Sequence, residues 1–403
     1  MPGSLAHLRV LDLSRVLAGP WAGQALADLG ADVVKVERPG QGDDTRGWGP
    51  PYLKDADGRD TSEAAYFLAA NRGKRSLTLD IASPRGGEVA RALAARADVV
   101  LENYKVGTLA KYGLDYASLK AINPGLVYCS ITGFGQDGPY AARAGYDFMI
   151  QGMAGLMSVT GEPDGPPEKA GVALVDILTG LNATIAVLAA LAHRDRTGEG
   201  QAIDMALFDV MVASMANQAT NYLSSGRAPR RLGNAHPNIV PYQVFATSDG
   251  HIILAVGNDG QFQKFCAVAG RPEIAADPRF ARNADRVRNR AELIPILETA
   301  IRERPSASWL EALERQGVPC GPINDMAEVF ADPQAEARGL RVEMPHPAAG
   351  TVPLVASPFR LSATPVEYRR PPPLLGQHAG EVLADWLELG EDAIDDLRRA
   401  AVI

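Results

Sequence analysis

The first 135 residues alternate between short β-branched runs and alanine-rich stretches, and this rhythm constrains the fold more than any other feature of the chain. Extended runs fall at Leu8–Leu13, Val33–Glu37, Ser76–Leu79, Val99–Asn103 and Leu126–Ile131, with helical spacing over Trp21–Leu29 and Gly86–Ala97 between them. Strands separated by helices pair in parallel through right-handed crossovers, because such connections are too long for hairpins. The expected class is therefore α/β, with a large, Rossmann-like open parallel sheet. Ligands of such sheets sit at the carboxyl ends of the strands. That rule directs attention to Asp12–Pro20 after the first strand and Glu37-Arg38 after the second. The insert Gly40–Thr61, rich in Gly, Pro and Asp, reads as a loop long enough to be functional.

Beyond Ala170 the pattern changes. Ile177–His193 and Ala206–Tyr222 are apolar nearly all round, which predicts two buried helices separated by a turn at 194–200. Ser225–Arg231 reads as a basic linker, and Val240–Ala246 and His251–Val256 flank Thr247–Gly250 as a β-hairpin. Helical stretches continue to about Phe330, then proline-rich extended segments (Val342–Leu361) and two amphipathic helices, Gly380–Leu389 and Ala393–Ala401. The large domain is thus expected over 1–225, a smaller α+β domain is inserted at 226–330, and 331–403 completes the large one.

Composition narrows the function classes. Of 403 residues, 46% are apolar and 22% charged, values that exclude disorder. Acidic residues outnumber basic ones, 48 to 40, so a bulk nucleic-acid binder is disfavoured. Cys129, Cys266 and Cys320 form neither a disulfide framework nor a C-x-x-C zinc pattern. No histidine pair has metal-ligand spacing, so no metal site is expected. The N-terminus lacks a signal-peptide pattern, and the apolar stretch Leu181–Ala192 falls short of a bilayer span. These features predict a cytoplasmic protein without membrane partners.

Several residues stand out as chemistry. Gly133-Phe134-Gly135-Gln136-Asp137-Gly138 matches G-x-G-x-x-G, the basis of a dinucleotide-dependent oxidoreductase reading, but Pro139 follows and no helical period opens there. A turn or an active-site lid fits better. Backbone N–H groups from Val16 to Ala18 are placed to receive a phosphate or a base, and Arg38, Lys74, Arg75 and Lys111 are expected to form a basic rim for a phosphorylated ligand. Asp176 lies in an otherwise apolar run, where a carboxylate is either a helix N-cap before Ile177 or functional. Asp147 is a possible acid–base partner for it, and His236 sits in a loop of functional character.

Taken in order, these segments resemble the family III CoA-transferases, which include formyl-CoA transferase, carnitine CoA-transferase and the α-methylacyl-CoA racemases. The resemblance runs through Val10–Ser14 with Ala18-Gly19-Pro20, Val34–Arg38, Gly42–Trp48, Asn71–Asp80, Glu102–Tyr104, Gly152–Gly165, Asp176–Gly180, Arg196–Gln201, Gly317–Pro322 and Leu375–His378. It implies that Asp176 is a nucleophile forming a mixed anhydride with the acyl group, with a CoA thioester as substrate and no permanently bound cofactor. It carries CoA contacts onto Val16, Ala18, Arg38, Asn71, Arg72, Gly73, Lys74, Asn103, Tyr104, Lys105 and Lys111. Leu17, Arg46, Trp48, Tyr146, Asp147 and His236 fall in the implied substrate pocket, with Arg46 as a clamp for a distal carboxylate. It also implies a homodimer of two interlocked rings.

Two departures refine the implied activity. Racemases of the family carry Gly-His-Asp where this chain has Gly145-Tyr146-Asp147, and a phenol is a poor base near neutral pH. Racemase activity is therefore the second reading. Formyl-CoA transferase has a glutamine near the position of Leu17 and a glycine-rich loop after its Gly-Asn-Ala, where this chain has Gly233-Asn234-Ala235-His236-Pro237-Asn238. That version is more similar to transferases using succinyl-CoA with a dicarboxylic acceptor such as glutarate, mesaconate or citramalate.

Overall fold

In the computed structural model, which describes residues 3–403, the alternating segments build a six-stranded sheet. Its strands are β1 (Arg9–Asp12), β2 (Asp32–Glu37), β3 (Lys74–Thr78), β4 (Val99–Glu102), β5 (Val127–Thr132) and β6 (Ala202–Ala206), in the spatial order 3-2-1-4-5-6. Every neighbouring pair is parallel. This is the order of doubly wound nucleotide-binding folds, in which the winding reverses beside β1 and leaves a crevice at the strand ends. Val10, Leu11, Val33, Val34, Val99 and Val100 are wholly buried, as a sheet covered on both faces requires.

Five strands lie within two residues of their expected positions. The sixth has no local signature: Ala202–Ala206 is short, mixed in polarity and on the sheet edge, and only its tertiary register, Tyr128↔Ala202 to Thr132↔Ala206, makes it a strand.

The helices that position the site are α1 (Ala18–Asp28), α2 (Pro84–Arg96), α3 (Asp147–Met153), α4 (Leu174–Thr197) and α5 (Leu207–Ser214), followed late in the chain by α6 (Ala379–Leu387) and α7 (Glu391–Arg399). The helix expected over Ala206–Tyr222 is broken after Ser214, where Ala216 takes φ +43°. α4 packs directly on α1, because Gly180 has no side chain: a Cβ there would lie 2.6 Å from the Ala18 carbonyl oxygen. This close approach sets the first turn of α4, and Asp176 with it, beside the loop that follows β1.

By length and composition α4 could cross a bilayer, with a mean hydropathy of 1.9 over its most apolar window. The helix is longer than the apolar stretch Leu181–Ala192 read from the sequence, extending to Leu174 and Thr197. In the fold it is a packed helix that buries Val175, Ala183, Val187 and Leu191. Its all-round burial is not observed, however. Ile185 is 64% exposed, and Leu181 on α4, Phe148 on α3 and Val212 on α5 are exposed with it.

The chain divides into two compact units, one of Met1–Gly155, Ala170–Thr220 and Gln334–Ile403, the other of Leu156–Lys169 and Asn221–Pro333. Residues 156–169, which the sequence reading leaves in the large domain, join the second unit because Arg231 donates to the carbonyls of Glu162 (3.1 Å) and Gly165 (2.7 Å). The second unit holds the hairpin β7 (Tyr242–Ala246) and β8 (His251–Ala255), joined by β9 (Cys320–Gly321), over a core that includes Phe245, Phe262, Phe265 and Trp309. In the first unit, the late extended segments pair as β10 (Arg341–His346) and β11 (Gly350–Val355). Helices α6 and α7 then insert Val382, Leu383, Trp386, Ile394 and Leu397 into the core beside Leu77, Leu93 and Val100.

Candidate active site

Four anchors hold the loop after β1. Asp12 accepts hydrogen bonds from the Ser14 N–H (3.0 Å) and hydroxyl, and Lys35 Nζ donates to the Ser14 carbonyl at 2.9 Å. Asn103, just past β4, accepts from the Arg15 N–H at 2.9 Å and donates to the Arg15 carbonyl at 2.7 Å. Asp43 accepts from the Val16 N–H at 3.2 Å. These bonds hold Val16 at φ +70°, a left-handed conformation costly for a β-branched residue. Leu17 then acts as N-cap residue of α1 without a side-chain cap, so the positive end of that helix opens at the strand ends.

Behind the loop runs a series of buried ion pairs. Lys74 meets Asp12 at 2.9 Å and Lys35 meets Asp43 at 2.8 Å, with all four side chains 0% exposed. Burial opposes ionisation here, but Lys35 holds Asp43 down to about 2, and Lys74 and Lys35 together hold Asp12 below its ordinary value. Gly23 makes the room: a Cβ there would lie 2.7 Å from Asp12 Oδ2.

These pairings correct several expectations. The Asn71–Lys74 turn leads into β3 at its amino end, opposite to where a doubly wound sheet binds its ligand. Lys74 is spent on Asp12, Asn71 and the Pro20 carbonyl. Asn71 is wholly buried, Arg72 forks onto Asp28 at 2.8 and 2.6 Å, and the Gly73 N–H donates to the Arg370 carbonyl. Arg75 is buried among Asp32, Glu381 and Asp385, so the expected basic rim loses two of its four members. Arg46 is no carboxylate clamp: it forks onto Glu37 at 2.7 and 2.8 Å and lies 3.7 Å above the Phe67 ring.

Two cavities lie along the carboxyl ends of the strands. The first, about 420 Å³, is lined by Val16, Leu17, Ala18, Trp48, Asn103, Tyr104, Lys105, Tyr146 and Asp176 among others. The second, about 370 Å³, shares Arg15, Asp44 and Tyr104 with it and extends to Arg38 and to Leu79–Ala82, where β3 ends. Lys111 is exposed on the single turn Leu109–Tyr112 and lines neither. The sequence reading missed Arg15, Arg143 and Leu79–Ala82. Arg143 also lines the first cavity, its guanidinium 4.5 Å over the Tyr140 ring. The strand-end rule, applied to β3, would have found Leu79–Ala82.

Asp176 sits in the first turn of α4, whose N-cap is Ala173, so it is not itself the cap. Asp147 does that work from α3, its Oδ2 accepting from the N–H groups of Val175 (2.7 Å) and Asp176 (3.3 Å). Asp147 therefore stands behind the helix start rather than on the cavity wall. Burial, and then the charge of Asp147, push the Asp176 carboxyl up to about 7. Tyr66, raised by burial and by the same two aspartates, meets Trp48 edge-on at 5.1 Å. A carboxyl that titrates near neutrality in a cleft is suited to nucleophilic attack or proton transfer.

The remaining expectations are placed as follows. Tyr146 is 66% exposed and puts a phenol on the cavity wall. His236 belongs to the second unit, where its Nδ1 accepts from the Asn238 N–H at 3.1 Å and its ring lies 5.3 Å from Tyr242. No helix opens after Gly138; the next begins at Asp147, and Gly133 lines the cleft. Among the described residues no cluster of His, Cys, Asp or Glu converges as metal ligands.

The geometry defines a doubly wound α/β protein whose strand-end cleft is rimmed by cations and contains a carboxylate that is in no ion pair among the described residues. The family described as CoA-transferase family III matches residues 5–379. A succinate–glutarate CoA-transferase of Agrobacterium fabrum is 56% identical over 381 residues, 94% of this chain and 95% of the relative. Human succinyl-CoA:glutarate CoA-transferase is 44% identical over 399 residues, 99% of this chain and 90% of the relative. The crystal structure of a CAIB/BAIF family protein from Brucella suis superposes with a TM-score of 0.84 at 55% identity, covering 96% of this chain and all (100%) of that one. The chain belongs to CoA-transferase family III and is a CoA-transferase. That membership sets aside the dinucleotide-dependent oxidoreductase reading.

Proposed function

We propose that this enzyme moves CoA from succinyl-CoA to a dicarboxylate, glutarate foremost, through covalent intermediates on Asp176. The observation that carries the chemistry is an uncompensated carboxylate on the wall of a cleft at the sheet's ligand end. The substrates rest on the glutarate-specific names of the relatives.

Asp176 attacks the thioester carbonyl carbon of succinyl-CoA, the C–S bond breaks, and CoA leaves as thiolate with a mixed anhydride on the enzyme. The thiolate attacks the aspartyl carbonyl, succinate departs with its C–O bond electrons, and an aspartyl-CoA thioester remains. The acceptor carboxylate displaces CoA from that thioester to form a second anhydride, and thiolate attack on its acyl carbon releases the new acyl-CoA and regenerates Asp176. Acyl activation is conserved at each step, so the cycle needs neither ATP nor a bound cofactor. The N–H groups at the start of α1 would stabilise the oxyanions that form.

CoA would run along the two neighbouring cavities, which share Arg15, Asp44 and Tyr104, its thioester end near Asp176 and its nucleotide toward Arg38 and Leu79–Ala82. Lys105, Arg143 and Arg38 give this path positive charge although the chain is acidic overall, while Arg15 is paired with Asp44 at 3.0 Å. The exposed apolar side chains of α3, α4 and α5 support a homodimer, because a monomer rarely leaves Phe148, Ile185 and Val212 together in water. Size-exclusion chromatography with light scattering tests this, and a monomer at micromolar concentration overturns it. For the reaction, succinyl-CoA is offered with a panel of mono- and dicarboxylates and new thioesters are read by mass. Glutaryl-CoA is the expected main product. Failure of every dicarboxylate removes the substrate assignment and leaves the reaction class standing.

A further inference from the structure

We infer that Asp147 is a positioning residue for the nucleophile: its carboxylate caps the helix that presents Asp176, and its negative charge favours the states in which Asp176 is covalently neutralised. The inference rests on the reading of Asp176 as nucleophile.

The capping half follows from hydrogen-bond accounting. The first N–H groups of a helix have no partner within it, and Ala173, the N-cap residue of α4, has no side chain that could accept from them. Asp147 supplies that acceptor from another helix, reaching Val175 and Asp176, the second and third positions, as a local cap would. Its other oxygen accepts from Gln151 at 2.6 Å, and Gln151, itself wholly buried, accepts from the Ala170 N–H at 2.8 Å. One pair of side chains thus fixes both the lead-in to α4 and its first turn.

An asparagine would also offer an oxygen to these N–H groups, while a carboxylate is favoured further by the positive end of the helix, and its charge has a second effect on Asp176. The groups around Asp176 are Asp147 from α3, Tyr66 from the short helix Ala65–Leu68, and Tyr146, with Arg15, Asp44, Lys105 and Arg143 elsewhere on the cavity wall. Of the helices packed on α4, α5 carries Asp209, and α1 carries Asp28, which Arg72 neutralises. Among the described residues neither carboxylate is in an ion pair, and no cation contributes to the shift of Asp176. When Asp176 becomes an anhydride or a thioester it loses its charge, and the repulsion from Asp147 disappears. Repulsion present only in the free enzyme raises the ground state relative to the covalent states. The same repulsion contributes to the raised titration of Asp176.

The experiment is single-turnover formation of the covalent adduct from succinyl-CoA, read by intact mass across pH, with wild type, Asp147→Asn and Asp147→Ala. In wild type the rate should rise through a limb near the Asp176 value of about 7. Asp147→Asn keeps a side-chain oxygen for the two N–H groups and removes the charge. Its limb should move down by about half a unit or more, and its adduct fraction at saturating succinyl-CoA should fall several-fold above pH 8. Asp147→Ala loses the cap as well and should be slower at every pH. An unmoved limb or an unmoved adduct fraction in Asp147→Asn overturns the inference. Should that variant not fold, wild type still decides, because a limb near an ordinary carboxylate value also overturns it. Transfer without any adduct on Asp176 overturns the nucleophile reading beneath it, an outcome distinguishable from an adduct whose pH dependence ignores Asp147.

Discussion

Two groups of buried or half-buried carboxylates lie within the same unit and are treated oppositely. At the ends of β1 and β2, Asp12, Glu37 and Asp43 each face a lysine or an arginine at 2.7–2.9 Å. At the start of α4, Asp176 feels the charge of Asp147, and among the described residues neither is in an ion pair. Breaking a buried pair is costly and making one contributes little, so the paired group serves mainly to fix backbone. Here it fixes the Ser14–Val16 loop. The unpaired group gives up stability and gains a carboxylate that titrates near neutral pH. Within one unit, then, the presence or absence of an ion pair separates the scaffold of the loop from the proposed nucleophile.

The contrast can be broken in four ways. Asp176→Ala should lower CoA transfer by about 10⁴-fold or more while CoA still binds, as measured by calorimetry alongside turnover; an active variant removes the chemical half of the comparison. Lys35→Met strands Asp43 without its partner and should cost about 3–5 kcal/mol of unfolding free energy in urea, with loss of CoA binding because Val16 is released. A near-neutral result would mean that the pairs do not organise the loop.

The pH dependence of stability should run in opposite directions at the two places. Asp43 is held down to about 2, so its contribution is complete above the ordinary value of 3.8 and lost as pH falls toward 2. Asp176 is raised to about 7, so the native state binds its proton more tightly, and stability is lost as pH rises from 3.8 through 7. Asp176→Asn should therefore melt a few degrees above wild type at pH 8 and lose that advantage near pH 4. Equal melting at pH 8 would show that Asp176 is not strained. Arg38 is exposed, and its guanidinium donates to the Gln41 side chain at 3.2 Å. Arg38→Ala should raise the KM for succinyl-CoA about 10-fold with no change in melting temperature, and an unchanged KM would move the nucleotide elsewhere.

Much of this was legible in the sequence, and the limits are physical. The sheet was readable because β-branched runs bounded by helical periods leave few alternatives; β6 was not, because an edge strand is defined by its neighbour. Asp176 was conspicuous as a charge in an apolar run. Lys74 was read as a ligand contact because the sign of a side chain is local while its partner is not: Asp12 lies 62 residues from Lys74. The role of Asp147 was hidden for the same reason, since the N–H groups it accepts from lie 28 and 29 residues further on.

The late helices α6 and α7 have a consequence for how the protein is made. His378 meets Ser76 across a separation of 302 residues, and the Val402 carbonyl accepts from the Asp80 N–H. A ribosome adding about 5–20 residues per second needs roughly 15–60 s to cross that interval. Throughout it, the face of β3 that α6 will cover is present without its cover. The nascent chain is then a sticky half-sheet in a crowded cell, so the yield of this enzyme should depend on chaperone capacity and suffer when translation slows between codons 80 and 378.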